Sequence, residues 1–344
     1  MNKKVGVVGM GSFGAAISKL LSCNTEVLFF SRNEEKVKNF NSTRTFKGVT
    51  FPPEVVATSS LEDIAGYCEL IFIVIPSVNL RSLMKKFGPM LSPAKIVIHG
   101  IKGLDLEGVD LNNPDLEKFS KKKVKTMSKV IMEESPVVRI GALSGPNLAK
   151  EILAGQPTAT VVASPFDEVI KIAQEKLSGN RFYVFGSKDI KGAEFAGVFK
   201  NIIAVGSGIL AGKKLGKNMQ AMLITRGLRE MIIFGKLLGA KKKAFLGTAG
   251  IGDLIATATS ELSRNFTFGK RLGEGESMES ILKSMDEVVE GVRTLQIAMM
   301  LLKKYNLPTP ITYVLYKIVF DNLDIDSAIS YLMRYPYADD VDFL

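Results

Sequence analysis

The chain has 344 residues, which is long for a single core and suggests two domains. Hydrophobic residues make up 46% and charged residues 23%, an ordinary globular composition that excludes disordered and collagen-like classes. The formal charge of +10 is compatible with an anionic partner such as a phosphorylated substrate. The lysines are scattered apart from the runs 121–123 and 241–243, and neither run is interleaved with aromatic residues. This pattern favours a solvated surface and gives no indication of nucleic-acid binding.

Cysteine and histidine usage restricts the remaining classes. Cys23 and Cys68 lie in separate apolar segments without ligand spacing, which predicts buried thiols in a reducing compartment. The single histidine, His99, excludes a multi-histidine metal site, and we expect no metal. The first strand pattern has no apolar leader before it, and the apolar runs are too short to span a membrane. We therefore expect a soluble, cytoplasmic protein that does not bind membranes.

In chain order, the first half alternates short apolar runs with helical patterns. We predict strands at residues 4–8, 26–30, 69–75, 94–99, 137–143, 159–163 and 182–185. Helices are predicted at residues 13–21, 34–40 and 78–87. Buried strands separated by helices are typical of a doubly wound parallel sheet. We predict an α/β fold with an N-terminal Rossmann-like domain at residues 1–188, built on a doubly wound sheet.

Beyond residue 189 the pattern changes to long helices. They are predicted at residues 190–210, 218–238, 278–305 and 313–320. We expect residues 189–344 to form an all-helical second domain. The lysine-rich segment 105–134 within the first half is helix-prone, and we predict that it is a surface excursion.

The first predicted strand leads directly into a G-x-G-x-x-G motif at residues 9–14. Gly9 permits the tight turn, Gly11 lets the backbone approach a pyrophosphate, and Gly14 allows the helix to pack closely on the strand. The N–H groups of the following helix turn are then available to phosphate oxygens. The motif predicts a dinucleotide site at this turn.

The residues after the second predicted strand bear on the choice of dinucleotide. An acidic residue there would bind the ribose 2′-hydroxyl of NAD, but the sequence is Ser31-Arg32-Asn33. A hydroxyl, a guanidinium and an amide suit a 2′-phosphate, so the cofactor is NADP or NAD with NADPH favoured. In the alternative interpretation, Arg32 stacks on adenine or faces solvent.

Further segments carry a resemblance to a known family. They are Ile101-Lys102-Gly103, residues 142–151 (ALSGPNLAKE), Phe199-Lys200-Asn201, residues 247–254 (GTAGIGDL) and residues 259–265 (TSELSRN). With the glycine motif and residues 223–227 (LITRG), their order and spacing resemble the bacterial glycerol-3-phosphate dehydrogenases over residues 5–300. The resemblance implies reversible hydride transfer between NAD(P)H and dihydroxyacetone phosphate, which gives sn-glycerol 3-phosphate for glycerophospholipid synthesis. It also implies a homodimer, and it implies that the helical domain, residues 189–344, carries substrate binding and catalysis.

The same resemblance implies roles for individual residues. Lys200 would donate and accept the proton, and Lys102 and Asp253 would complete the catalytic set. The residues expected around the substrate are Lys102, Gly145, Asn147, Lys200, Asn201, Asp253, Ser263, Arg264 and Asn265. Those expected at the cofactor are Gly9, Gly11, Ser12, Phe13, Gly14, Arg32, Lys102, Ala149, Arg264, Val288 and Glu290.

The chemistry of ketone reduction independently favours Lys200. The nicotinamide supplies the hydride, and a side chain near the carbonyl oxygen must supply the proton. On the predicted helix 190–210, the neighbours of Lys200 at spacings of three and four are Ala196, Gly197, Ile203 and Ala204. A lysine on this small apolar face is desolvated, whereas in the alternative it reaches solvent along an amphipathic helix. Asp253 is in a position to orient its ammonium or to accept a hydrogen bond from a substrate hydroxyl. His99 at a strand end is interpreted as a core or loop residue.

Ser263-Arg264-Asn265 precedes a helical run at residues 266–272. Ser263 is a natural N-cap, and the helix N-terminus with Arg264 and Asn265 suits a phosphate monoester. A plain N-cap beside a surface arginine is the alternative. Two other functions stay open: a ketopantoate-reductase-like enzyme of the same two-domain plan, and a non-catalytic regulator that senses NADPH.

Overall fold

The computed structural model describes residues 4–111, 113–285, 287–336 and 339–340. The chain forms two compact units. The first contains the chain up to Asp105 together with Thr126–Glu194, and the second contains Leu106–Lys125 and the chain from Phe195 onwards. The division falls inside the helix Ile190–Gly212, and the predicted boundary at residue 189 stays a prediction.

The strands of the described residues follow one another along the first half of the chain. They are β1 (Lys4–Val8), β2 (Val27–Phe30), β3 (Thr45–Phe46), β4 (Val49–Thr50), β5 (Val55–Thr58), β6 (Cys68–Ile73), β7 (Ile96–His99), β8 (Asp105–Leu106), β9 (Val124–Lys125), β10 (Arg139–Ser144), β11 (Thr158–Ala163) and β12 (Phe182–Ser187). Each predicted strand is present, with ends that differ by at most two residues.

The first unit is built on an eight-stranded sheet with the order β12-β11-β10-β7-β6-β1-β2-β5. Six neighbouring strands of this sheet, in the order β10-β7-β6-β1-β2-β5, have the arrangement of a doubly wound dinucleotide-binding sheet. In this arrangement the strand order reverses direction beside the first strand of the chain. Neighbouring strands are parallel except β10 and β11. The predicted Rossmann-like sheet is therefore confirmed, with one antiparallel pair that the sequence pattern did not reveal.

Helices cover both faces of this sheet. They are α1 (Ser12–Leu21), α2 (Glu34–Thr43), α3 (Leu61–Tyr67), α4 (Leu80–Phe87), α5 (Met127–Glu134), α6 (Ala149–Leu153) and α7 (Asp167–Leu177). Helices α1 and α7 contribute Ile17 and Ala173 to the core on one face, and α4 and α5 contribute Met84 and Ile131 to the core on the other. Several of these helices begin at a polar N-cap, as α2 does at Asn33, whose side chain accepts a hydrogen bond from the Lys36 N–H.

Two predictions about exposure are wrong. Helix α5 lies within the predicted surface excursion 105–134, yet its Val130 and Ile131 side chains are fully buried against the sheet. The lysines around it concealed a short apolar face. Cys23 was expected to be buried but is exposed, because it lies in the turn that follows α1, whereas Cys68 on β6 is buried.

The second unit is helical from Phe195 onwards, as predicted, and its segment Leu106–Lys125 contains strand β9. Its helices are α8 (Ile190–Gly212), α9 (Lys217–Leu238), α10 (Asp253–Ala258), α11 (Arg264–Gly273), α12 (Met278–Ser284), α13 (Glu290–Tyr305), α14 (Pro310–Asp321) and α15 (Ile325–Arg334). The single helix predicted at residues 278–305 is wrong, because α12 ends at Ser284 and α13 begins at Glu290. The Gly291 N–H at the start of α13 donates to Asn265 Oδ1 of α11 at 2.9 Å, a long-range contact that local periodicity does not show.

Helix α8 is the central helix of the second unit. It is long and apolar enough to cross a membrane by composition, but 89% of its most apolar window is buried inside the protein. It therefore has the features of a core helix.

Helices α8 and α11 pack with their backbones in contact. A β-carbon at Gly208 or Gly212 of α8 would collide with carbonyl oxygens of α11. A β-carbon at Gly269 or Gly273 of α11 would likewise collide with carbonyl oxygens of α8. These two pairs of glycines, each spaced by one helical turn, set the close approach of the two helices.

Candidate active site

The glycine motif forms the turn between β1 and α1. Gly9 has φ = 126° and its β-carbon would lie 2.6 Å from the Val74 carbonyl oxygen, so both conformation and space require glycine. A β-carbon at Gly14 would collide with the Gly9 carbonyl oxygen, whereas a β-carbon at Gly11 would point into open space. The three positions thus fit a tight turn, a close helix–strand contact and an accessible backbone that a pyrophosphate can approach.

Helix α1 begins at Ser12 directly after this turn. Its N-cap is Gly11, which has no side chain to cap the first N–H groups. These N–H groups and the positive end of the helix dipole suit an anionic ligand. The next residue, Phe13, is partly buried, and a β-carbon at Gly100 after β7 would lie 2.7 Å from its ring. The residues present here fit the pyrophosphate of a dinucleotide.

At the end of β2, the three polar residues have different surroundings. Asn33 caps α2 through the Lys36 N–H at 2.9 Å, and the buried Ser31 hydroxyl accepts from the Asn33 N–H at 3.2 Å. Arg32, between them, is exposed. Of the predicted hydroxyl, guanidinium and amide, the hydroxyl and the amide have local structural roles, and Arg32 presents its charge at the surface.

Predicted substrate residues of the first unit lie after β7 and β10. Lys102 Nζ donates to the Gly145 carbonyl oxygen at 3.1 Å. Asn147 Nδ2 donates to Thr160 Oγ1 at 2.8 Å, while the buried Asn147 Oδ1 has no hydrogen-bond partner among the described residues. A buried amide oxygen without a partner is costly, and a ligand donor would satisfy it. Ala149 follows as the first residue of α6.

In the second unit, Lys200 lies at the centre of α8 and is almost fully buried. Its Nζ atom is 2.8 Å from Asp253 Oδ1 and also donates to Thr257 Oγ1. Thr257 Oγ1 lies 3.2 Å from Asp253 Oδ1, so the three side chains form a closed triangle. Asp253 and Thr257 are four residues apart on α10 and therefore project from one helix face. The contact with Lys200 agrees with the interpretation that Asp253 orients the ammonium, and the role of Asp253 stays a prediction.

The neighbour of Lys200 connects this triangle to the next predicted group. Asn265 Nδ2 donates to Asn201 Oδ1 at 3.0 Å, and Asn265 Oδ1 accepts from the Gly291 N–H at 2.9 Å. Ser263 is the N-cap of α11 and its hydroxyl accepts from the Phe266 N–H at 3.3 Å, as predicted. Asn265 thus links α8, the start of α11 and the start of α13.

Arg264 is the first residue of α11, and its side chain is 48% exposed. Its Nε lies 3.1 Å from Glu287 Oε2, and Nη1 donates to the Val288 carbonyl oxygen at 3.3 Å. The guanidinium therefore contacts the segment just before α13, including Val288, a position predicted to contact the cofactor. A forked cation beside a helix N-terminus suits a phosphate group.

The structure therefore groups the predicted residues by unit. The first unit holds Gly9, Gly11, Ser12, Phe13, Gly14, Arg32, Lys102, Gly145, Asn147 and Ala149, and the second holds Lys200, Asn201, Asp253, Ser263, Arg264, Asn265, Val288 and Glu290. Thr257 and Glu287 were not among the residues predicted from the sequence. The i+4 spacing from Asp253 was a signal for Thr257, but no local signal indicated Glu287.

His99 is a buried core residue, as expected. Its Nε2 lies 3.1 Å from Glu194 Oε1. The Glu194 carboxylate also accepts from the Ser128 N–H at 2.8 Å and from the Ser128 hydroxyl at 2.6 Å. These contacts hold the N-terminal turn of α5 against the end of β7, a structural role.

Comparisons with known proteins cover both halves of the chain. Residues 4–170 match the NAD-dependent glycerol-3-phosphate dehydrogenase N-terminus model, and residues 189–330 match the C-terminus model of the same family. Glycerol-3-phosphate dehydrogenase [NAD(P)+] of Alcanivorax borkumensis is 36% identical over 98% of this chain and 95% of its own length. The Staphylococcus haemolyticus enzyme of the same name is also 36% identical, over 96% of this chain and 97% of its own length.

Solved structures of this family resemble the chain over nearly its whole length. The crystal structure of glycerol-3-phosphate dehydrogenase from Coxiella burnetii has a TM-score of 0.86 and 30% identity, covering 97% of this chain and 99% of that one. A ketopantoate reductase from Ralstonia eutropha has a TM-score of 0.59 at 15% identity, which shows a shared fold only. With both halves matched by one family's models, the chain belongs to the NAD-dependent glycerol-3-phosphate dehydrogenase family.

Proposed function

We propose that this protein is an NAD(P)-dependent glycerol-3-phosphate dehydrogenase, which interconverts dihydroxyacetone phosphate and sn-glycerol 3-phosphate. The observation that carries the proposal is the buried triangle of Lys200, Asp253 and Thr257 in a chain matched by this family over both halves. A buried ammonium oriented by two fixed acceptors is a suitable proton donor for a ketone oxygen.

The chemistry divides between cofactor and protein. Bound NAD(P)H supplies the hydride that reduces the carbonyl carbon. Lys200 Nζ donates a proton to the carbonyl oxygen, so that the ketone becomes an alcohol and the ammonium becomes a neutral amine that solvent reprotonates. Asp253 and Thr257 fix the direction of the ammonium, and its charge stabilises the developing alkoxide. In the reverse direction the same amine accepts the hydroxyl proton.

The substrate phosphate has a fitting site at the start of α11. Arg264 supplies a guanidinium, Asn265 an amide, and the helix its first N–H groups. Asn201 Oδ1 holds the Asn265 side chain by accepting a hydrogen bond from its Nδ2 at 3.0 Å. Lys102, Gly145 and Asn147 are the proposed substrate contacts of the first unit. Asn147 Oδ1 has no partner in the described part of the chain, which supports a role in accepting from a substrate hydroxyl.

The proposed cofactor site is centred on the glycine turn, residues 9–14. Arg32 supports a preference for NADPH, because it is exposed directly after β2, where the ribose 2′-position is recognised in this fold. Ala149, Val288 and Glu290 are the remaining proposed contacts. We further propose a cytoplasmic homodimer that supplies sn-glycerol 3-phosphate for glycerophospholipid synthesis.

The two alternative functions are less well supported. A ketopantoate-type reductase does not need the phosphate-binding features at Arg264, and its structural match is a fold likeness at 15% identity. A non-catalytic NADPH sensor gives no role to the Lys200 triangle. An assay at 340 nm with dihydroxyacetone phosphate, run in parallel with NADPH and NADH, tests substrate, reaction and cofactor preference together. Cofactor binding without any turnover of dihydroxyacetone phosphate would overturn the proposal.

A further inference from the structure

A small hairpin of the first unit places a lysine beside the glycine turn. Strands β3 and β4 pair in register, with Phe46 opposite Val49, and are joined by Lys47 and Gly48. Both turn residues have positive φ, 49° for Lys47 and 76° for Gly48, as in a type I′ turn. Asn, Asp and Gly are the residues that favour the first position of this turn, so turn geometry does not explain a lysine.

The hairpin is fixed to the core of the first unit. The Phe46 ring packs edge-on against Phe29 of β2, with centroids 6.3 Å apart. At the base of the hairpin, the Phe51 N–H donates to the Arg44 carbonyl oxygen at 2.8 Å. The Arg44 guanidinium in turn donates to the Val55 carbonyl oxygen at 2.5 Å. The tip at Lys47 is therefore presented from an anchored base.

Lys47 reaches the first residue of α1. Its Nζ atom donates to Ser12 Oγ at 2.8 Å. Ser12 is the first residue of α1 and follows Gly11, whose position has open space beside it. An ammonium at this point adds a full positive charge to the partial charge of the helix N-terminus.

We propose that Lys47 is a further cofactor-binding residue, whose ammonium binds the pyrophosphate of NAD(P)H over the start of α1. The proposal rests on the proposed cofactor site at residues 9–14. Two sources of phosphate exist in NADPH, and the contact with Ser12 favours the pyrophosphate, since the 2′-position is read at the end of β2, where Arg32 lies. An ammonium acts on phosphate as a point charge, so Lys47 contributes equally to NADH and NADPH binding.

The test separates the two phosphates with two fragments. ADP-ribose carries the pyrophosphate without a 2′-phosphate, and adenosine 2′-monophosphate carries the 2′-phosphate without the pyrophosphate. Each competes with NADPH, followed by the fluorescence of the bound reduced cofactor. Lys47→Met weakens ADP-ribose about tenfold, the loss of roughly 1.4 kcal/mol of charge-assisted binding, and adenosine 2′-monophosphate less than twofold. Arg32→Ser shows the reverse pattern, and Lys38→Met, an exposed lysine of α2, changes neither.

The remaining outcomes distinguish the possible failures. Unchanged ADP-ribose affinity in Lys47→Met overturns the proposal, as does a loss confined to adenosine 2′-monophosphate. Equal weakening of both fragments means that the hairpin only shapes the site, and this also overturns it. Lys47→Arg, which keeps the charge, restores most of the ADP-ribose affinity. If the wild-type protein binds NADPH but not ADP-ribose, Lys47 alone is reassigned, whereas wild-type protein that binds neither overturns the cofactor site as well.

Discussion

Lys200 Nζ lies 2.8 Å from Asp253 Oδ1, and the two side chains are 4% and 2% exposed. They meet from different helices, Lys200 from the centre of α8 and Asp253 from the first turn of α10. Removing one member of such a pair leaves the other as an uncompensated buried charge. Variants at Lys200 therefore change stability as well as chemistry, and the two effects have to be measured separately.

Lys200→Met is expected to lower kcat by at least about a hundredfold, because the proton donor is lost. The single variant is also expected to lose roughly 3–5 kcal/mol of unfolding free energy, because Asp253 stays charged and buried. The double variant Lys200→Met, Asp253→Asn removes both charges and regains much of that stability without regaining activity. NADPH affinity, measured by fluorescence, changes little. A folded single variant that retains more than about a tenth of wild-type kcat would exclude Lys200 as the proton donor and direct attention to Lys102.

Arg264→Ala is expected to reduce kcat/KM for dihydroxyacetone phosphate by roughly 1.5–3 kcal/mol, because a charge-assisted contact with the phosphate is lost. Dihydroxyacetone, which has no phosphate, is a poor substrate for both proteins and shows little further loss. The matched control is Arg271→Ala, on the same helix, whose guanidinium pairs with Glu276 at 2.6 Å. An equal loss with both substrates would mean that Arg264 serves the cofactor or the fold.

The local parts of the structure were predictable from the sequence. Strand β1, the glycine turn and α1 follow one another in the chain, and the cap at Ser263 needs only the residues beside it. Contacts between distant segments were not predictable from pattern. Periodicity continued across the break between α12 and α13, because the Asn265 contact that caps α13 comes from another helix. The apolar face of α5 was not predicted for a different reason: the lysine-rich residues around it dominate the composition of the segment.

The same limit applies to the site. The family resemblance identified Lys200 and Asp253, and the structure shows that they are in contact. The family resemblance did not identify Lys47. A two-strand hairpin has no sequence signature as strong as the glycine motif, and neither does the position of that hairpin beside α1. Such contacts depend on how strands return to the sheet, which local patterns do not specify.

Glu230 provides a pH-dependent prediction for the stability of the second unit. Its buried carboxylate accepts from the Ile311 N–H, the Thr312 N–H and the Thr312 hydroxyl at the start of α14. Burial raises the pKa of Glu230 from 4.5 to about 7, although these hydrogen bonds oppose the shift. Because the folded pKa lies above the unfolded one, the contribution of this group is complete below pH 4.5 and is lost as the pH rises through 7.

Glu230→Gln resembles the protonated side chain at every pH. Its unfolding free energy relative to wild type is therefore expected to rise between pH 5 and pH 8, by an amount on the order of 3 kcal/mol. Denaturant unfolding at the two pH values measures the difference, with the exposed Glu175→Gln as the control. Parallel pH dependences for Glu230→Gln and wild type would contradict the assignment.

The two thiols are expected to react very differently. Burial raises the pKa of the Cys68 thiol to about 12, so almost no reactive thiolate forms there in the native protein. Cys23 is exposed. Brief iodoacetamide treatment at neutral pH, followed by mass spectrometry, should modify Cys23 alone in native protein and both cysteines after denaturation. Cys23→Ser should abolish native labelling, and modification of Cys68 in the native protein would refute the prediction.

The glycine contacts between α8 and α11 have a consequence for how the site responds to temperature. Where two helices meet through long side chains, warming populates other rotamers and loosens their spacing. Gly208, Gly212, Gly269 and Gly273 have no rotamers to exchange, and their contacts are made by backbone atoms. At these four positions, peptide groups set the spacing between the helix of Lys200 and the helix of Arg264. On heating, the distance between Lys200 and the start of α11 should therefore stay constant until the helical unit itself unfolds.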